Sequence, residues 1–321
     1  MVMTTAVTTS KDLREARLIG LDWGSTGLRA FLIGEGGEVL RGRQAPLGAS
    51  VLSGDAAYEQ ALEQFTGDWQ RARPDLPLLA CGMVGSKHGW REVPYVACPA
   101  DARALAAKMP AGAAGLRIVP GLLDQPLDDA SGAPDVMRGE ETQILGALAL
   151  HPDLVDATLI LPGTHSKWAR LRGGQVLGFA TQMTGELFAI LRAHSVLGRL
   201  MLDEDSGGLD LPSFLSGVDA ARDGVSQGLL HQLFSVRTLG LMDRLPAAGA
   251  ADYLSGLLIG HELVFGVSTL LPVQPVALIG EHALCERYAQ ALKHFGVHDV
   301  RLLANTAPAG LWCLARELEL A

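Results

Sequence analysis

Asp22, Gly24, Ser25 and Thr26 are the first residues in the chain whose types and spacing could do chemistry. They lie in the stretch LIGLDWGSTGLRAFLI at 18–33, which predicts a strand, a tight turn and a second strand. An acidic residue at the end of a buried strand can hold a hydrated Mg²⁺, and the N–H and hydroxyl groups of a Gly/Ser/Thr turn can face phosphate oxygens. Many hairpins use Gly and Ser for backbone reasons alone, so a phosphate site and a plain polar hairpin are equal alternatives for this turn by itself.

A second turn of the same kind occurs in the second half of the chain. The apolar run 158–161 leads into the turn 162–166, of sequence PGTHS, and two strand-like runs follow at 167–171 and 175–181. This order repeats that of the opening stretch. The two halves are therefore interpreted as copies of one structural unit.

The composition fits a packed α/β protein and excludes several classes of partner. With 321 residues, 48% of them hydrophobic and 38 of them glycine, the chain is long enough for one large or two medium domains. Its formal net charge of −9, from 26 Lys and Arg against 35 Asp and Glu, gives no overall field that would attract nucleic acid or an anionic membrane. An anionic ligand must therefore be held by local groups.

The cysteine spacing and the hydropathy pattern predict a soluble cytoplasmic protein. The four cysteines show no CxxC or Cys/His spacing, which argues against a zinc site and against a disulfide framework. Residues 1–16 are polar and lack the apolar core of a signal peptide, so they are predicted to form a flexible tail. The longest apolar region, 253–280, is interrupted by polar residues and prolines, and is not predicted to span a membrane.

The elements that must position the two turns alternate between strands and helices. A loop rich in Asp, Pro and Gly at 124–134 is the predicted boundary between an N-terminal domain, 17–135, and a C-terminal domain, 136–321. Residues 203–212 are acidic and glycine-rich, and are predicted to form an exposed loop. Helices are predicted at 55–73, 101–108, 139–150, 185–194, 225–241, 252–270, 283–295 and 308–318.

Seven segments of the chain can be compared with a known family. They are GLDWGSTGLRA (20–30), CGMVGSKHGWREVPYVACPA (81–100), VMRGEETQILGAL (136–148), LPGTHSKWARL (161–171), MTGELFAILRAHSVL (183–197), LSGLLIG (254–260) and LIGEHALCERYAQAL (278–292). As a set and in this order, they resemble the 2-dehydro-3-deoxygalactonokinases, a branch of the sugar kinase, Hsp70 and actin superfamily. The resemblance implies an α/β fold of two duplicated RNase H-like domains with a central ATP cleft. It also implies that the N-terminal domain binds the sugar acid and phosphate and that the C-terminal domain binds the nucleotide.

The resemblance gives the first turn a role in binding ATP and Mg²⁺. It implies that Asp22 organises the metal ion and that Gly24, Ser25 and Thr26 lie near the terminal phosphates. Arg29, on the following strand, could either touch a phosphate or form a salt bridge across the sheet.

The second turn and a later glycine complete the expected nucleotide site. By resemblance, the backbone amides beside Gly163 and Thr164 would line the phosphates, and Lys167 would supply positive charge during transfer. Gly280 and Glu281 stand where this superfamily holds the adenosine, and Glu281 replaces a second glycine that many relatives have at that point.

Glu140 and Glu141 are the candidate general bases. Two carboxylates in a first helical turn have an ordinary explanation, because acidic residues favour a helix N-terminus. In related carbohydrate kinases, an acidic residue roughly two dozen positions before the second turn takes the proton from the attacking hydroxyl. Both glutamates fit that distance, and adjacent helical positions point about 100° apart, so only one is expected to face the reaction, with a slight preference for Glu140.

The segment 82–95 stands where sugar kinases hold their substrate. Its candidates are Ser86, Lys87, Trp90 and Arg91, and the two cations could bind the carboxylate of a keto acid. The alternative for the cations is a solvated basic loop, and Trp90 is as well explained by packing as by stacking on a ligand.

Together with these residues, the resemblance implies an enzyme that uses ATP and Mg²⁺ to phosphorylate the 6-hydroxyl of 2-dehydro-3-deoxygalactonate in galactonate catabolism. One alternative is a kinase for a related substrate, such as the gluconate-derived epimer or a neutral ketose. Another is an ATPase switch of the actin or Hsp70 type, and a third is a protein that binds the sugar acid without chemistry. By analogy with the superfamily, the protein is predicted to form a homodimer. Neither nucleic acid nor a membrane is predicted as a partner.

Overall fold

The chain divides into two units. The computed structural model describes residues 3–4, 8–110, 115–125, 132–201, 208–269 and 275–321. By their internal contacts, Met1–Asp156, Leu171–Phe179 and Asn305–Ala321 form the first unit, and Ala157–Arg170 and Ala180–Ala304 form the second. This division differs from the domain boundary at 135, because 136–156 and 305–321 group with the first unit; the boundary stays a prediction.

Strands and helices alternate along the described residues as expected for an α/β chain. The strands are β1 (Met3–Thr4), β2 (Ala16–Trp23), β3 (Leu28–Gly34), β4 (Val39–Ala45), β5 (Leu78–Cys81), β6 (Val96–Ala97), β7 (Leu116–Ile118), β8 (Leu122–Asp124), β9 (Asp135–Met137), β10 (Ala157–Leu161), β11 (Ser166–Arg172), β12 (Gln175–Gln182), β13 (Val276–Ile279) and β14 (Val300–Leu303). The helices are α1 (Ser10–Glu15), α2 (Asp55–Ala72), α3 (Ala102–Ala106), α4 (Glu140–Leu150), α5 (Thr184–His194), α6 (Leu211–Asp223), α7 (Leu229–Leu241), α8 (Ala250–Thr269), α9 (His282–His294) and α10 (Ala307–Glu317).

Two sheets share the same order over five strands. The first is β1-β4-β3-β2-β5-β7, in which β2 pairs antiparallel with β3 and parallel with β5. The second is β12-β11-β10-β13-β14, in which β10 pairs parallel with β13 and β13 with β14. Thus β10 corresponds to β2, β11 to β3, β12 to β4, β13 to β5 and β14 to β7. The predicted duplication is confirmed, and each of the two polar turns follows the first strand of its copy.

Three aromatic rings pack beneath the first turn. Trp23, at the end of β2, lies 5.4 Å from Tyr58 of α2, and Tyr58 is stacked on Trp90 at 5.6 Å, measured between ring centroids. All three side chains are buried. Aromatic pairs of this kind contribute about 0.5–1.5 kcal/mol each beyond area burial. They attach α2 and the segment around Trp90 to the end of β2.

Helices α4 and α10 pack closely within the first unit. A Cβ atom added to Gly146 would overlap the carbonyl group of Thr306, and one added to Gly310 would overlap that of Thr142. The Thr306 hydroxyl also donates a hydrogen bond to the Gln143 carbonyl at 2.6 Å. This contact fixes the helix that begins with the two candidate bases.

Several regions differ from the sequence-based predictions. Residues 10–15 form α1, with a capping box between Thr9 and Asp12, where a flexible tail was predicted. A small sheet of strand order β6-β8-β9 extends into the predicted boundary loop, of which 126–131 lie outside the described residues. Residues 225–241 form a short 3₁₀ helix and then α7, where one helix was predicted.

Helix α6 was missed by the sequence analysis. Of the predicted loop 203–212, residues 203–207 lie outside the described residues. The helix begins at Leu211, within the range predicted as loop. Asp210 caps it by accepting a hydrogen bond from the Ser213 N–H at 3.2 Å, and proline stands in its first turn. These start signals are visible in the sequence. In the described part of the chain, no helix is both long and apolar enough to cross a membrane.

Candidate active site

Asp22 lies at the end of β2 with its side chain 16% exposed. Its strand partners are Arg29 on β3 and Cys81 on β5. The Asp22 Oδ2 atom lies 3.3 Å from the Arg29 guanidinium, so Arg29 forms the salt bridge across the sheet that was one of its two predicted roles. Burial raises the pKa of Asp22, and the charge of Arg29 opposes this rise.

The first turn is held by backbone hydrogen bonds. The Gly24 N–H donates to the Gly27 carbonyl at 2.9 Å, and the Gly24 carbonyl accepts from Ala49 N–H at 2.9 Å. Ser25 and Thr26 are exposed. The backbone is fixed, and a ligand can reach the side chains of the turn.

The start of α4 lies against the end of β5. Gly82, which follows Cys81, and Gly139, which precedes α4, both have positive φ angles, of 94° and 109°, which favour glycine. A Cβ atom at Gly139 would lie 3.3 Å from the Gly82 Cα. Burial and then the charges of Asp22 and Glu141 raise the pKa of Cys81 well above its ordinary value. Asp22 and the acidic helix start, which are far apart in sequence, therefore lie around one strand end.

The two candidate bases have different surroundings. Glu141 is 1% exposed, and its carboxylate accepts hydrogen bonds from Gly139 N–H at 2.6 Å and from the Thr142 hydroxyl at 2.9 Å. Burial, followed by the charge of Glu140, raises the pKa of Glu141 to about 8. Glu140 is half-buried, and its Oε2 atom accepts from Arg138 N–H at 3.0 Å. Glu140 is therefore the more accessible carboxylate.

The four predicted substrate residues differ in their availability. Lys87 is exposed, Ser86 is 8% exposed, and Trp90 is buried in the aromatic cluster described above. Arg91 donates two hydrogen bonds to Asp55, at 2.8 and 2.9 Å. Packing accounts for Trp90, and the charge of Arg91 is already compensated, which leaves Lys87 as the more available cation of the two.

Arg138 is a buried cation that the sequence analysis did not single out. It is 8% exposed, its Nη2 donates to the Val93 carbonyl at 2.7 Å, and its guanidinium lies 4.4 Å from the centre of the Tyr95 ring. Among the described residues, its Nε and Nη1 atoms have no hydrogen-bond partner. Arg138 thus joins the predicted substrate segment 82–95 to the chain just before α4. Its position beside the two glutamates in the RGEE sequence is a signal from which it could have been predicted.

The second turn packs against the N-terminus of α5. The Thr164 carbonyl accepts a hydrogen bond from Glu186 N–H at 2.9 Å. Gly185 lies so close to Gly163 that a Cβ atom on Gly185 would overlap the Gly163 carbonyl oxygen. Thr164 is exposed, whereas Lys167 is 5% exposed and donates to the Thr181 hydroxyl at 2.8 Å. The charge of Lys167 is fixed beneath the turn.

A cavity of about 510 Å³ opens beside this turn within the second unit. It extends from Gly163 and Gly185 to Ser255 and Leu258 of α8 and Arg287 of α9. Its volume lies within the range of small-molecule sites, and its walls are partly apolar and partly charged. The sequence analysis did not predict the α8 wall, because residues 254–260 of that helix, LSGLLIG, are mostly apolar or glycine and include no charged residue.

One wall of the cavity is held by an ion pair. Arg287 Nη1 lies 2.6 Å from Asp252 Oδ1, and Asp252 Oδ2 accepts from Asp210 N–H at 2.8 Å. These bonds join α9, α8 and the start of α6.

Gly280 and Glu281 lie at the beginning of α9. A Cβ atom at Gly280 would lie 3.3 Å from the Pro162 carbonyl oxygen, so this glycine lies beside the second turn. The Glu281 carboxylate caps α9 by accepting from the N–H groups of Ala283 and Leu284, at 3.1 and 2.9 Å. These backbone bonds lower the pKa of Glu281. The side chain that replaces the second glycine therefore has a structural role.

Comparison with known proteins assigns the chain to a family. The sequence model of the 2-keto-3-deoxy-galactonokinase family matches residues 22–314. The chain belongs to this family. It is 35% identical over 306 residues to the 2-dehydro-3-deoxygalactonokinase of Escherichia coli (strain K12), covering 94% of this chain and 98% of that protein. A Rhizobium meliloti (strain 1021) protein provisionally given the same name is 35% identical over 302 residues, covering 93% of this chain and 96% of that protein.

A solved structure shows that the fold, too, is that of a relative in this family. A crystal structure of a protein from Sinorhizobium meliloti, provisionally named a 2-dehydro-3-deoxygalactonokinase, superposes with a TM-score of 0.82 at 34% identity, covering 93% of this chain and 98% of that one. This member of the 2-keto-3-deoxy-galactonokinase family is accordingly a carbohydrate kinase, and it shares the fold of the Sinorhizobium meliloti protein.

The donor set of the first unit fits a metal ion that is held mainly by substrate and water. Among the described residues, no three His, Cys, Asp or Glu side chains are grouped to hold a metal ion. Mg²⁺ usually keeps several waters and takes only one or two carboxylates together with substrate phosphates. Asp22, partly exposed at a strand end, matches that requirement.

Proposed function

We propose that this protein transfers the γ-phosphate of ATP to the 6-hydroxyl of 2-dehydro-3-deoxygalactonate. The observation that carries the proposal is that Asp22 and the acidic start of α4 lie around one strand end in a chain of this kinase family. A metal-organising carboxylate and a separate base are the groups that phosphoryl transfer to an alcohol needs.

The nucleotide is assigned to the cavity of the second unit. Its phosphates would meet the backbone N–H groups and hydroxyl of Gly163 and Thr164, and the adenosine would extend toward Leu258 and Arg287. The buried ammonium of Lys167 would stabilise the negative charge that develops on the phosphates during transfer. Gly280 supports this assignment because it lies beside Pro162, at the beginning of the same turn.

Asp22 is the residue proposed to hold Mg²⁺, with Gly24, Ser25 and Thr26 near the terminal phosphates. When bound, the ion would neutralise charge on the phosphate oxygens. The salt bridge to Arg29 keeps the Asp22 carboxylate at the strand end.

Glu140 is proposed to take the proton from the 6-hydroxyl. A general base must reach the proton that it removes, and Glu140 is the more exposed of the two glutamates. Glu141, with a pKa of about 8, is mostly protonated at neutral pH and supports the helix start through its bonds to Gly139 and Thr142.

A coupled assay of ADP release across a panel of sugar acids and sugars tests the reaction. We expect the greatest kcat/KM with 2-dehydro-3-deoxygalactonate. A strong preference for a neutral ketose would contradict the keto-acid assignment. ATP hydrolysis at one rate with and without any sugar acid would favour the actin- or Hsp70-like switch. The homodimer stays a prediction that sedimentation would test.

Lys87 and Arg91 form a matched pair for testing carboxylate recognition. We expect Lys87→Met to raise KM for the keto acid about tenfold with little change in KM for ATP, because an exposed, charge-assisted contact would be lost. Arg91→Met should change the KM for the keto acid less than about threefold, because Arg91 is paired with Asp55 at an exposed position. Equal effects from the two variants would contradict this assignment of roles.

A further inference from the structure

One carboxylate lies deep inside the second unit. Glu262, in the second half of α8, is 3% exposed. Its Oε1 atom accepts hydrogen bonds from the Ser166 hydroxyl and from Trp168 Nε1, both at 2.7 Å. Its Oε2 atom accepts from the Tyr288 hydroxyl at 2.7 Å and from the Thr184 hydroxyl. The carboxylate thus receives four hydrogen bonds, two on each oxygen.

The four donors join the elements that form the candidate nucleotide site. Ser166 is the first residue of β11, directly after the second turn. Thr184 is the first residue of α5, whose N-terminus packs against that turn. Tyr288 lies on α9, and both Thr184 and Tyr288 line the 510 Å³ cavity. Each of these elements is thereby attached to one point on α8.

The chemistry of the donors explains why a carboxylate stands at this point. An apolar side chain would leave four buried donors without a partner, which is costly. A tryptophan N–H can only donate, whereas a hydroxyl can donate or accept. A buried negative charge near phosphates would by itself oppose nucleotide binding, so attraction for ATP does not account for Glu262. The presence of Glu262 is explained by the capacity of its carboxylate to accept four hydrogen bonds in fixed directions.

We propose that Glu262 is a positioning residue for ATP, which holds the second turn, the start of α5 and the α9 wall of the cavity in the arrangement that receives the nucleotide. This inference rests on the proposed function, because it takes the cavity as the ATP site.

Glu262→Gln is the informative variant because its effect has a direction. The amide has one oxygen and one NH₂ group, and Trp168 can only donate, so the oxygen must face Ser166 and Trp168. The NH₂ group then faces Thr184 and Tyr288, whose hydroxyls can turn to accept. The fold is kept, while the hydrogen bonds on the cavity side are rearranged.

The matched control is Trp168→Phe, which removes one donor from Glu262 on the side away from the cavity. We expect Glu262→Gln to weaken binding of a non-hydrolysable ATP analogue about tenfold by calorimetry, with KM for the sugar acid unchanged within about twofold. Trp168→Phe should lower Tm and leave the analogue Kd unchanged within about twofold. An unchanged Kd in Glu262→Gln, or an equal rise in both variants, would overturn the inference.

The wild-type protein separates this inference from the proposed function. Absence of analogue binding to the wild type would overturn the function and the inference together. If Glu262→Gln does not fold, Tyr288→Phe replaces it, because it removes one donor on the cavity side. A Kd for Tyr288→Phe at least about threefold above that of Trp168→Phe supports the inference, and equal values overturn it.

Discussion

Glu141 in the first unit and Glu262 in the second are both almost completely buried, yet their surroundings differ. Glu141 accepts two hydrogen bonds and has the charge of Glu140 beside it, and its pKa is raised to about 8. Glu262 accepts four hydrogen bonds. Burial raises the pKa of Glu262 as well, but all four bonds oppose this rise.

The difference follows from what each unit must do. Carboxylates near a reacting hydroxyl and a metal ion have to stay close together, and their mutual repulsion costs stability. A carboxylate that only holds elements in place can be surrounded by donors. The first unit therefore keeps in Glu141 a buried acid with two hydrogen bonds beside the residues proposed for the chemistry, and the second unit has in Glu262 an acid with four hydrogen bonds beneath the proposed nucleotide site.

The largest expected effect separates the two glutamates at the helix start. We expect Glu140→Gln to lower kcat by about 10²–10⁴ with a smaller change in either KM, because the proton acceptor is lost. Glu141→Gln should keep kcat within about tenfold of the wild-type value, since its carboxylate is buried and already hydrogen-bonded. Steady-state kinetics at saturating ATP provide the measurement, and the reverse order of effects would exchange their roles.

The second prediction concerns the stability that Glu262 provides. Glu262→Leu leaves four buried donors without an acceptor, so we expect a loss of about 3–5 kcal/mol in the free energy of unfolding by denaturant titration. Glu286→Gln on the exposed face of α9 is the control and should change it by less than about 0.5 kcal/mol. Similar values for the two variants would show that the four hydrogen bonds contribute little.

The third prediction uses the raised pKa of Glu141. The folded protein holds a proton on Glu141 up to about pH 8, whereas the unfolded chain loses it near the ordinary value of 4.5. The favourable contribution of this group is therefore fully present below pH 4.5 and decreases as pH rises toward 8, by about 3 kcal/mol at pH 7. Glu141→Gln should show less loss of stability over this interval than the wild type. Unfolding curves at pH 5, 6.5 and 8 check it, and parallel pH profiles would contradict it.

The smallest expected effect comes from removing one donor from Glu141. Thr142→Val keeps the shape of the side chain and deletes the hydroxyl that bonds to Oε1. Because that bond lowers the pKa of Glu141, its loss should raise the pKa further and destabilise the protein by about 0.5–1.5 kcal/mol at pH 8, with a smaller effect at pH 5. Thermal melts at the two pH values measure the difference, and a larger loss at pH 5 would contradict it.

The repeated order of strand, polar turn and strand could be predicted from the sequence because strand and turn preferences are local. Both sheets confirm it at β2–β3 and β10–β11. Helix α6 was missed because the predicted acidic and glycine-rich loop, 203–212, included Asp210 and Pro212. These two residues lie at the beginning of the helix. The seven segments that resemble the kinase family contain the two turns and the acidic pair, and the structure adds the contacts that surround them.

The family, the duplicated α/β units and the candidate residues on each turn could be predicted from the sequence, because they depend on residue type and on spacing along the chain. The tertiary structure decided which candidates already have partners: Arg91 with Asp55, Arg29 with Asp22, and Glu281 with the start of α9. It also found Glu262, which in the sequence is only one charge within an apolar helix. Burial and hydrogen bonding depend on contacts between residues far apart in the chain, such as Ser166 and Glu262, which are 96 positions apart, and no local pattern specifies such contacts.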